Sequence, residues 1–550
     1  MSPGPHSSKS EKSDPKNGRE VEWQLACNDL GSVRRWLTEH GTIEGLVLEP
    51  RSTLQIRDTY LDTDDWRIHR AGFALRIRSE SGKAEATLKS LHSASTEVAD
   101  RRELTEALEN GESESIRHLI GPVGARVQAV SGAHALLPLF EIHTSRQRFA
   151  IRRESEAQQL GEIALDQTVI SRPHGEPQTS LQRVEVEALT GIHEPLQSLV
   201  KTLRNQCALE AAPDTKYSQG LKSVGLAPGP APEFTPTAVE SSMSIAEVAL
   251  ANLRRYLSAW HRHEPGARLG DNPEELHDLR VAGRRMDAIL RQFRSSLPAE
   301  YLQIRPALKK ALRALGEVRD LDVALIELET FTRVSPESAA PGEALQQYLE
   351  SERSRARARM LGVLDSAALQ KGFQKLTSLL ATPASSPSQT PSFESALSVA
   401  PQMLRLRYRK VRRSADLLKP GSSVEAYHQA RGHAKKLRYA LEAVAVIYGK
   451  PADEMLRALR RWQEKLGVQQ DAAVAGRHLK ALAGSPPEGM SSETLFLMGR
   501  LAEHYTSAAI RARKFHAKRY RKVREKWKKL RVRFVDPTPS DAPSLPLSIS

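Results

Sequence analysis

The chain has 550 residues, too many for a single hydrophobic core, so two or three domains are predicted. Its formal net charge of +15 is unevenly placed: residues 1–225 carry 28 Lys and Arg against 32 Asp and Glu, and the remainder carries 53 against 34. Two cysteines, Cys27 and Cys207, exclude a disulfide framework or a cysteine zinc site, and no apolar run reaches the length of a membrane span.

The opening segment "MSPGPHSSKSEKSDPKNGRE" has no signal-like apolar stretch, so 1–17 is expected to be a disordered tail and the cytoplasm the compartment. Between 18 and 222, short segments alternate with period two, as strands do: "EVEWQL", "FALRIRS", "EATLKS", "RFAIRR", "GEIALDQ" and "RVEVEAL". Glu20, Glu22 and Gln24 oppose Val21, Trp23 and Leu25; Arg76 and Arg78 oppose Leu75 and Ile77; Glu185 and Glu187 oppose Val184 and Val186. Alternation alone leaves open which face is inside. An ordinary antiparallel sheet with a polar exterior is one reading. Like charges two apart on a strand face repel, however, and a closed barrel with its charged face turned inward around metal ions and an anionic substrate relieves that repulsion.

The order and spacing of "EVEWQ", "YLDTDDWRIHRAGFALRIR", "ATLK", "RRE", "GEIALDQ", "RVEVEALTG" and "TKYSQG" resemble a CYTH domain over about 18–222. This is the triphosphate-tunnel fold of inorganic triphosphatases, thiamine triphosphatases and class IV adenylate cyclases. The resemblance implies that Glu20, Glu22, Glu103, Asp166, Glu185 and Glu187 hold Mg2+ or Mn2+ or position water. It assigns Arg76, Arg78, Lys89, Arg101, Arg148 and Lys216 to the triphosphate, and makes Glu20, Glu22 and Gln24 the catalytic motif. Three positions depart from the family pattern. Its opening Glu-x-Glu-x-Lys ends here in Gln24, Thr105 stands where a second acid often follows Arg-x-Glu, and Arg183 stands where a glutamate often precedes Glu185. A neutral amide supplies no charge to a phosphate, so reduced or altered turnover is expected.

Residues 223–242, including "LAPGPAPEFTPTAVESS", read as a linker, and long helical spacings follow over 243–533. The low-complexity "ATPASSPSQTPS" divides that half into about 243–380 and 394–533, and 534–550 is expected to be a disordered tail. The two parts repeat one another at an offset of 151: His277 with His428, Arg280 with Arg431, Arg284 with Lys435, Leu290 with Leu441, Gly316 with Gly467 and Asp320 with Asp471. At 100° per residue, His277, Arg280, Arg284 and Arg291 share a stripe opposite Leu279, Ala282, Met286, Leu290 and Phe293. His428, Arg431, Lys435 and Arg438 likewise oppose Ala430, Leu437, Leu441 and Val444, whereas His433 falls on the apolar side.

A basic stripe on one helix is ordinarily a solvated face. Two copies in a strongly cationic half, with the further basic helices "MLRLRYRKVRR" and "RARKFHAKRYRKVREKWKK", argue for a polyanion that relieves their repulsion. The phrases "HDLRVAGRRMDAILRQF…LGEVRDLDV" and "HQARGHAKKLRYALE…LGVQQDAAV" resemble a CHAD domain over 241–533. That resemblance implies inorganic polyphosphate on His277, Arg280, Arg284, Arg285, His428, Arg431, Lys435 and Lys436, with Asp320 and Asp471 orienting Arg or His.

The fold class expected is α+β: an N-terminal antiparallel β-barrel tunnel domain followed by an all-α domain of duplicated helical bundles. The expected activity is that of an inorganic triphosphatase-like hydrolase, docked on polyphosphate and found at polyphosphate granules. The alternative is a non-enzymatic polyphosphate binder with a degenerate tunnel. Nucleic acid is disfavoured, because aromatics are only 5% of the chain and no reading motif is present.

Overall fold

The computed structural model describes residues 17–91, 99–109, 111–154, 158–189, 194–229, 233–335, 338–381, 394–487, 490–514 and 516–534, and at 17–20, 99–101, 470 and 514 the backbone alone. The expected terminal tails, apart from Asn17 and Phe534, and the low-complexity 382–393 lie outside the described residues. The chain divides into two compact units, Met1–Ala231 and Pro232–Ser550.

The first unit is built on antiparallel strands β1 (Asn17–Ala26), β2 (Thr42–Ile43), β3 (Leu46–Pro50), β4 (Leu54–Asp62), β5 (Phe73–Glu80), β6 (Lys83–Ser90), β7 (Ala99–Leu108), β8 (Leu137–Arg153), β9 (Gln159–Ser171), β10 (Pro177–Ala188) and β11 (Glu210–Ala211). Its helices are α1 (Leu30–Glu39), α2 (Arg67–Arg70), α3 (Pro122–Ser131), α4 (Glu194–Gln206) and α5 (Lys216–Ser223). The long β8 pairs with β4 on one side and β9 on the other, so β8-β4-β5-β6-β7-β1-β10-β9 run in a closed circuit. The outward stripe of Trp23, Leu25, Phe149, Ile151, Ile163, Leu165, Val184 and Val186 is apolar and covered by α1 and α4 through Val33, Leu37, Leu196, Leu199 and Leu203. That coverage fixes the charged stripe inward, since a one-residue slip would bury the wrong face. Cross-strand register then brings Glu22 opposite Glu187, Gln24 opposite Glu185, Arg183 opposite Asp166, Asp58 opposite Arg78 and Lys89 opposite Glu103. Along the same inward face, Tyr60, Phe140, Ile142 and Ile170 pack on Tyr217 and Leu221 of α5. Gly220 permits that approach: a methyl there would lie 2.1 Å from the Phe140 ring.

The second unit is helical: α6 (Ile245–Leu269), α7 (Pro273–Gln292), α8 (Ala299–Leu302), α9 (Arg305–Val334), α10 (Ala339–Leu364) and α11 (Ala367–Ala381), then α12 (Ala396–Asp416), α13 (Val424–Tyr448), α14 (Lys450–Gly484), α15 (Ser492–Lys514) and α16 (His516–Val532). Helix starts follow capping chemistry. Ser244 and Glu247 form a capping box on α6, Asn272 caps α7 ahead of Pro273, and Ser423 caps α13. The stripes expected to be apolar are buried: Leu279, Met286, Leu290, Leu437, Leu441 and Val444 are each 0% exposed. Residues of the expected linker also join this unit, for Val239 is buried in its core and Phe234 N donates to Ser258 Oγ at 2.9 Å.

The two repeats meet reciprocally. Ile245 N donates to Glu394 O at 2.9 Å, and Ala396 N donates to Met243 O at 3.0 Å. Each residue is exchanged for its counterpart 151 positions away, and the capping residues Ser244 and Ser395 form the bridge between the two. A second pair repeats the pattern: Asn252 Nδ2 donates to Ala443 O at 3.1 Å, and Gln292 Nε2 to Met403 Sδ at 3.2 Å. Such i-to-j and j-to-i contacts are the signature of a two-fold, here a pseudo-two-fold within one chain.

Candidate functional site

Inside the strand circuit, acids and cations alternate from strand to strand. Arg146 donates to Asp166 through Nε at 2.8 Å and Nη2 at 2.6 Å, and Nη2 also reaches Glu185 Oε2 at 2.6 Å. Lys216, the first residue of α5, pairs with Asp166 and lies 3.0 Å from Glu185 Oε1. Burial alone would raise Glu185, yet Lys216 and Arg146 hold it well below the ordinary carboxylate range. Arg78 clasps Asp58 with two bonds of 2.8 and 2.9 Å; Arg78 and Arg76 likewise hold the buried Asp58 far down. Glu103 stands 3.3 Å from Lys89 Nζ and 3.7 Å from Arg76 Nη2, and Arg148 Nη1 lies 3.6 Å from Glu162 Oε2.

Glu187 differs. Its carboxyl is pushed up, first by burial and then by the neighbouring charges of Glu22 and Glu103. Lys89 and Arg146 oppose this rise without cancelling it. Gln24 Nε2 donates to Glu22 Oε1 at 2.5 Å, while Arg183 Nη1 donates to Gln24 Oε1 at 3.2 Å and Nη2 to Asp214 O at 2.7 Å.

In the helical unit, α7 packs on α13 as well as on α9, and α13 packs on α14. Lys435 of α13 faces Arg431 and Arg438 on its own helix and Arg284 on α7, with Asp471 of α14 as counter-charge. Burial first, and these cations next, push its ammonium down to about 7. Arg280 is pushed down to about 10 by burial and then Arg284. Arg284 and Lys435 are repeat partners, as are Asp320 and Asp471, which also lie within electrostatic reach of each other. Both pairs therefore straddle the pseudo-two-fold. Arg280 and Arg431 lie against Gly316 and Gly467, where a methyl would come within 3.6 and 3.2 Å of the guanidinium. Among the described residues their buried Nε donors have no hydrogen-bond partner, although Arg431 Nη1 reaches Asp471 Oδ1 at 3.2 Å. His277 is half-buried and its imidazole is pushed down by burial and Arg319, while His428 is exposed.

Family models match residues 35–217, for the CYTH domain, and 251–480, for the CHAD domain. The chain carries a CYTH domain followed by a CHAD domain. Among solved structures, the CHAD domain of Ricinus communis is similar at 24% identity, over 56% of this chain and 99% of that one, with a TM-score of 0.41. PptA from Streptomyces chartreusis is similar at 19% identity, over 52% and 99%, with a TM-score of 0.39. A Hippeastrum adenylyl cyclase candidate described as having a dominant triphosphatase activity is similar at 16% identity, over 38% and 97%, with a TM-score of 0.26. No curated protein matches the chain.

The CYTH unit thus gathers Glu22, Gln24, Arg76, Arg78, Lys89, Glu103, Arg148, Asp166, Glu185, Glu187 and Lys216 on one inward surface. The side chains of Glu20 and Arg101 are outside the described residues, although their backbones pair with each other across β1 and β7. Strand β1, with Glu22 and Gln24, lies before the matched span, yet it pairs between β7 and β10. Sequence reasoning missed Asp58, Arg146 and Glu162 as ion-pair partners in this interior. Arg146 lies two residues before Arg148 on the same strand face, a period-two signal that could have found it. Sequence reasoning also did not select Asp64, Asp65 and His134, whose donor atoms lie within 4.8 Å of one another, with Asp65 already paired to Arg67 and Arg70.

In the CHAD unit, Arg280, Arg284, Arg431 and Lys435 meet around the pseudo-two-fold. Arg285 turns to Glu442, 3.6 Å away, and Lys436, its repeat partner, is half-buried beside Arg291. His433 packs toward α12, with Nδ1 3.0 Å from Ser414 Oγ. The C-terminal basic helix forms a separate cleft of about 280 Å³ with α14, lined by Arg457, Arg461, Arg519 and Lys522. No helix among the described residues is long and apolar enough to cross a membrane.

Proposed function

We propose that the protein binds condensed inorganic phosphate, holding polyphosphate on the CHAD surface and hydrolysing inorganic triphosphate in the CYTH interior. The observation that carries this reading is the meeting of Arg284 with Lys435, flanked by Arg280 and Arg431, whose buried Nε atoms find no partner among the described residues. Crowded, half-buried cations raise the energy of the free protein, and a flexible polyanion relieves that repulsion while accepting the planar guanidinium forks.

In the tunnel, Glu22, Glu103 and Glu187 are hard oxygen donors whose mutual charge helps to push Glu187 up, which fits a divalent cation such as Mg2+ or Mn2+, with Lys89 and Arg76 already beside Glu103. Bound there, such an ion would supply Lewis acidity toward a phosphoryl oxygen and its attacking water. The chain's own groups do the rest. Arg76, Arg78 and Lys89 neutralise the triphosphate, and Gln24 holds the Glu22 carboxylate in one orientation. Asp166 and Glu185 serve a different purpose in this reading: their oxygens are engaged by Arg146 and Lys216, so they fix the cationic wall.

Phosphate release from tripolyphosphate with Mg2+ or Mn2+, abolished by Glu22→Ala, tests the activity; release no greater than a metal-only blank contradicts it. A second reading, a polyphosphate binder with a silent tunnel, is favoured by the internal pairing of the tunnel cations, above all Arg78 with Asp58 and Lys216 with Asp166. It predicts unchanged polyphosphate affinity and no turnover under any metal.

A further inference from the structure

The pseudo-two-fold makes a specific demand on charge. Arg285 and Lys436 are repeat partners, and so are Arg291 and Glu442. On one side of the axis Arg285 Nε lies 3.6 Å from Glu442 Oε2, while Arg438 Nε and Arg460 Nη2 each approach Oε1 at 3.6 Å. The reciprocal contact on the other side replaces the acid with a base, so that Lys436 faces Arg291. Helix α12 adds Arg407 and Lys410 to the same place. The helices are held in register there by Gln292 on Met403 between α7 and α12, and by His433 near Ser414 between α13 and α12. Among the described residues, none of Arg291, Arg407, Lys410 and Lys436 forms an ion pair with an acid, and Arg291 and Lys410 are exposed. One flank of the axis sets a buried glutamate among three arginines; on its mirror Asp287, the repeat partner of Arg438, is taken up by Arg305, and Lys436, Arg291, Arg407 and Lys410 are left without an acid partner among the described residues.

We infer that this flank, whose cations pair with no acid, is a second anion subsite, onto which a linear polyphosphate continues from the Arg284–Lys435 centre, leaving the axis on the Lys436 side and not on the Glu442 side. The inference rests on the condensed-phosphate reading and adds a direction to it. Glu442 offsets one of the three arginines on its own flank and weakens the attraction there, whereas four cations without an acid partner gain most from a phosphate chain. Guanidinium forks from Arg291 and Arg407 suit paired phosphoryl oxygens, and the lysines supply point charges.

The test is the affinity of the full-length protein for tripolyphosphate and for long-chain polyphosphate at fixed salt, in wild type, Arg291→Glu, Lys410→Gln and, on the opposite flank, Arg460→Gln. Arg291→Glu is expected to weaken long-chain binding by at least about tenfold and to flatten its salt dependence, by analogy with counterion release from nucleic acids. Tripolyphosphate, too short to run from the centre or from the CYTH interior onto this flank, should, with divalent metal withheld, stay within about twofold; Lys410→Gln should follow Arg291→Glu more weakly, and Arg460→Gln should leave both ligands unchanged. A melting curve matching wild type separates these effects from misfolding. Unaltered long-chain affinity in Arg291→Glu, or an equal loss in Arg460→Gln, overturns the subsite alone. Absence of polyphosphate binding by the wild type overturns the condensed-phosphate reading and the subsite with it. An RNA oligomer that outcompetes polyphosphate, and loses affinity in Arg291→Glu, overturns the assignment of the ligand.

Discussion

Arg183 donates to the side-chain oxygen of Gln24 at 3.2 Å, and through that amide it orients Glu22. Two departures from the CYTH pattern, a glutamine where lysine is usual and an arginine where glutamate is usual, are therefore neighbours. The positive charge has moved from β1 to the adjacent β10. A lysine restored at position 24 would meet the Arg183 guanidinium head-on. Gln24→Lys alone should therefore lower both stability and phosphate release, and Gln24→Lys with Arg183→Glu should recover them. The double-mutant cycle is expected to give a coupling of about 0.5–3 kcal/mol. Additive effects of the two changes would contradict the exchange.

Arg146 is the keystone of the interior wall, because Asp166 and Glu185 both close on it while both are buried. Removing one member of a buried ion pair strands the others in low dielectric. Arg146→Met should destabilise the CYTH unit by about 3–5 kcal/mol, read from its denaturant transition. The CHAD unit has its own core and its transition should not move. A loss under about 1 kcal/mol would mean that Lys216 alone suffices.

Lys435 makes the central site sensitive to pH. Its folded value of about 7 lies below the ordinary 10.5, so between those values the unfolded chain holds more protons and stability rises with pH. Below pH 7 the ammonium is charged in both states and this dependence ends. The groups that face it are Arg431 and Arg438 on α13, Arg284 on α7 and Asp471 on α14. A bound polyanion restores the proton, so binding takes one up, and affinity for polyphosphate should fall roughly eightfold from pH 6.5 to 8. Lys435→Arg, which stays charged throughout, should flatten that profile. An equally steep profile in the variant would place the titration elsewhere.

The apolar half of each element was legible from the sequence, since Trp23, Val184 and Val186 on strands, and Leu279 and Leu437 on helices, follow the periods that burial imposes. The inward sense of Glu22, Arg76 and Glu187 was legible from charge repulsion along a strand. Partners were not. Arg146 meets Glu185 across 39 positions and Asp58 meets Arg78 across 20, and periodicity carries no information about register between strands. The offset of 151 announced a duplication and pairs Arg291 with Glu442, but only the folded packing places Arg284 against Lys435 and shows that Glu442 sits among arginines while Arg291 faces Lys436. The packing of Phe234 on α6 and of Val239 in the helical core was hidden by the Pro-rich composition around them, which reads the same whether a segment is free or laid against a core.

In the proposed function, cations from both repeats form one polyphosphate site at the pseudo-two-fold. The decisive measurement is calorimetric titration of the full-length protein with long-chain polyphosphate, wild type against Arg284→Glu with Lys435→Glu. Each lost charge-assisted contact is worth about tenfold, so the double variant should bind about a hundredfold more weakly while melting as a folded protein. Undiminished affinity in that folded double variant would contradict the account.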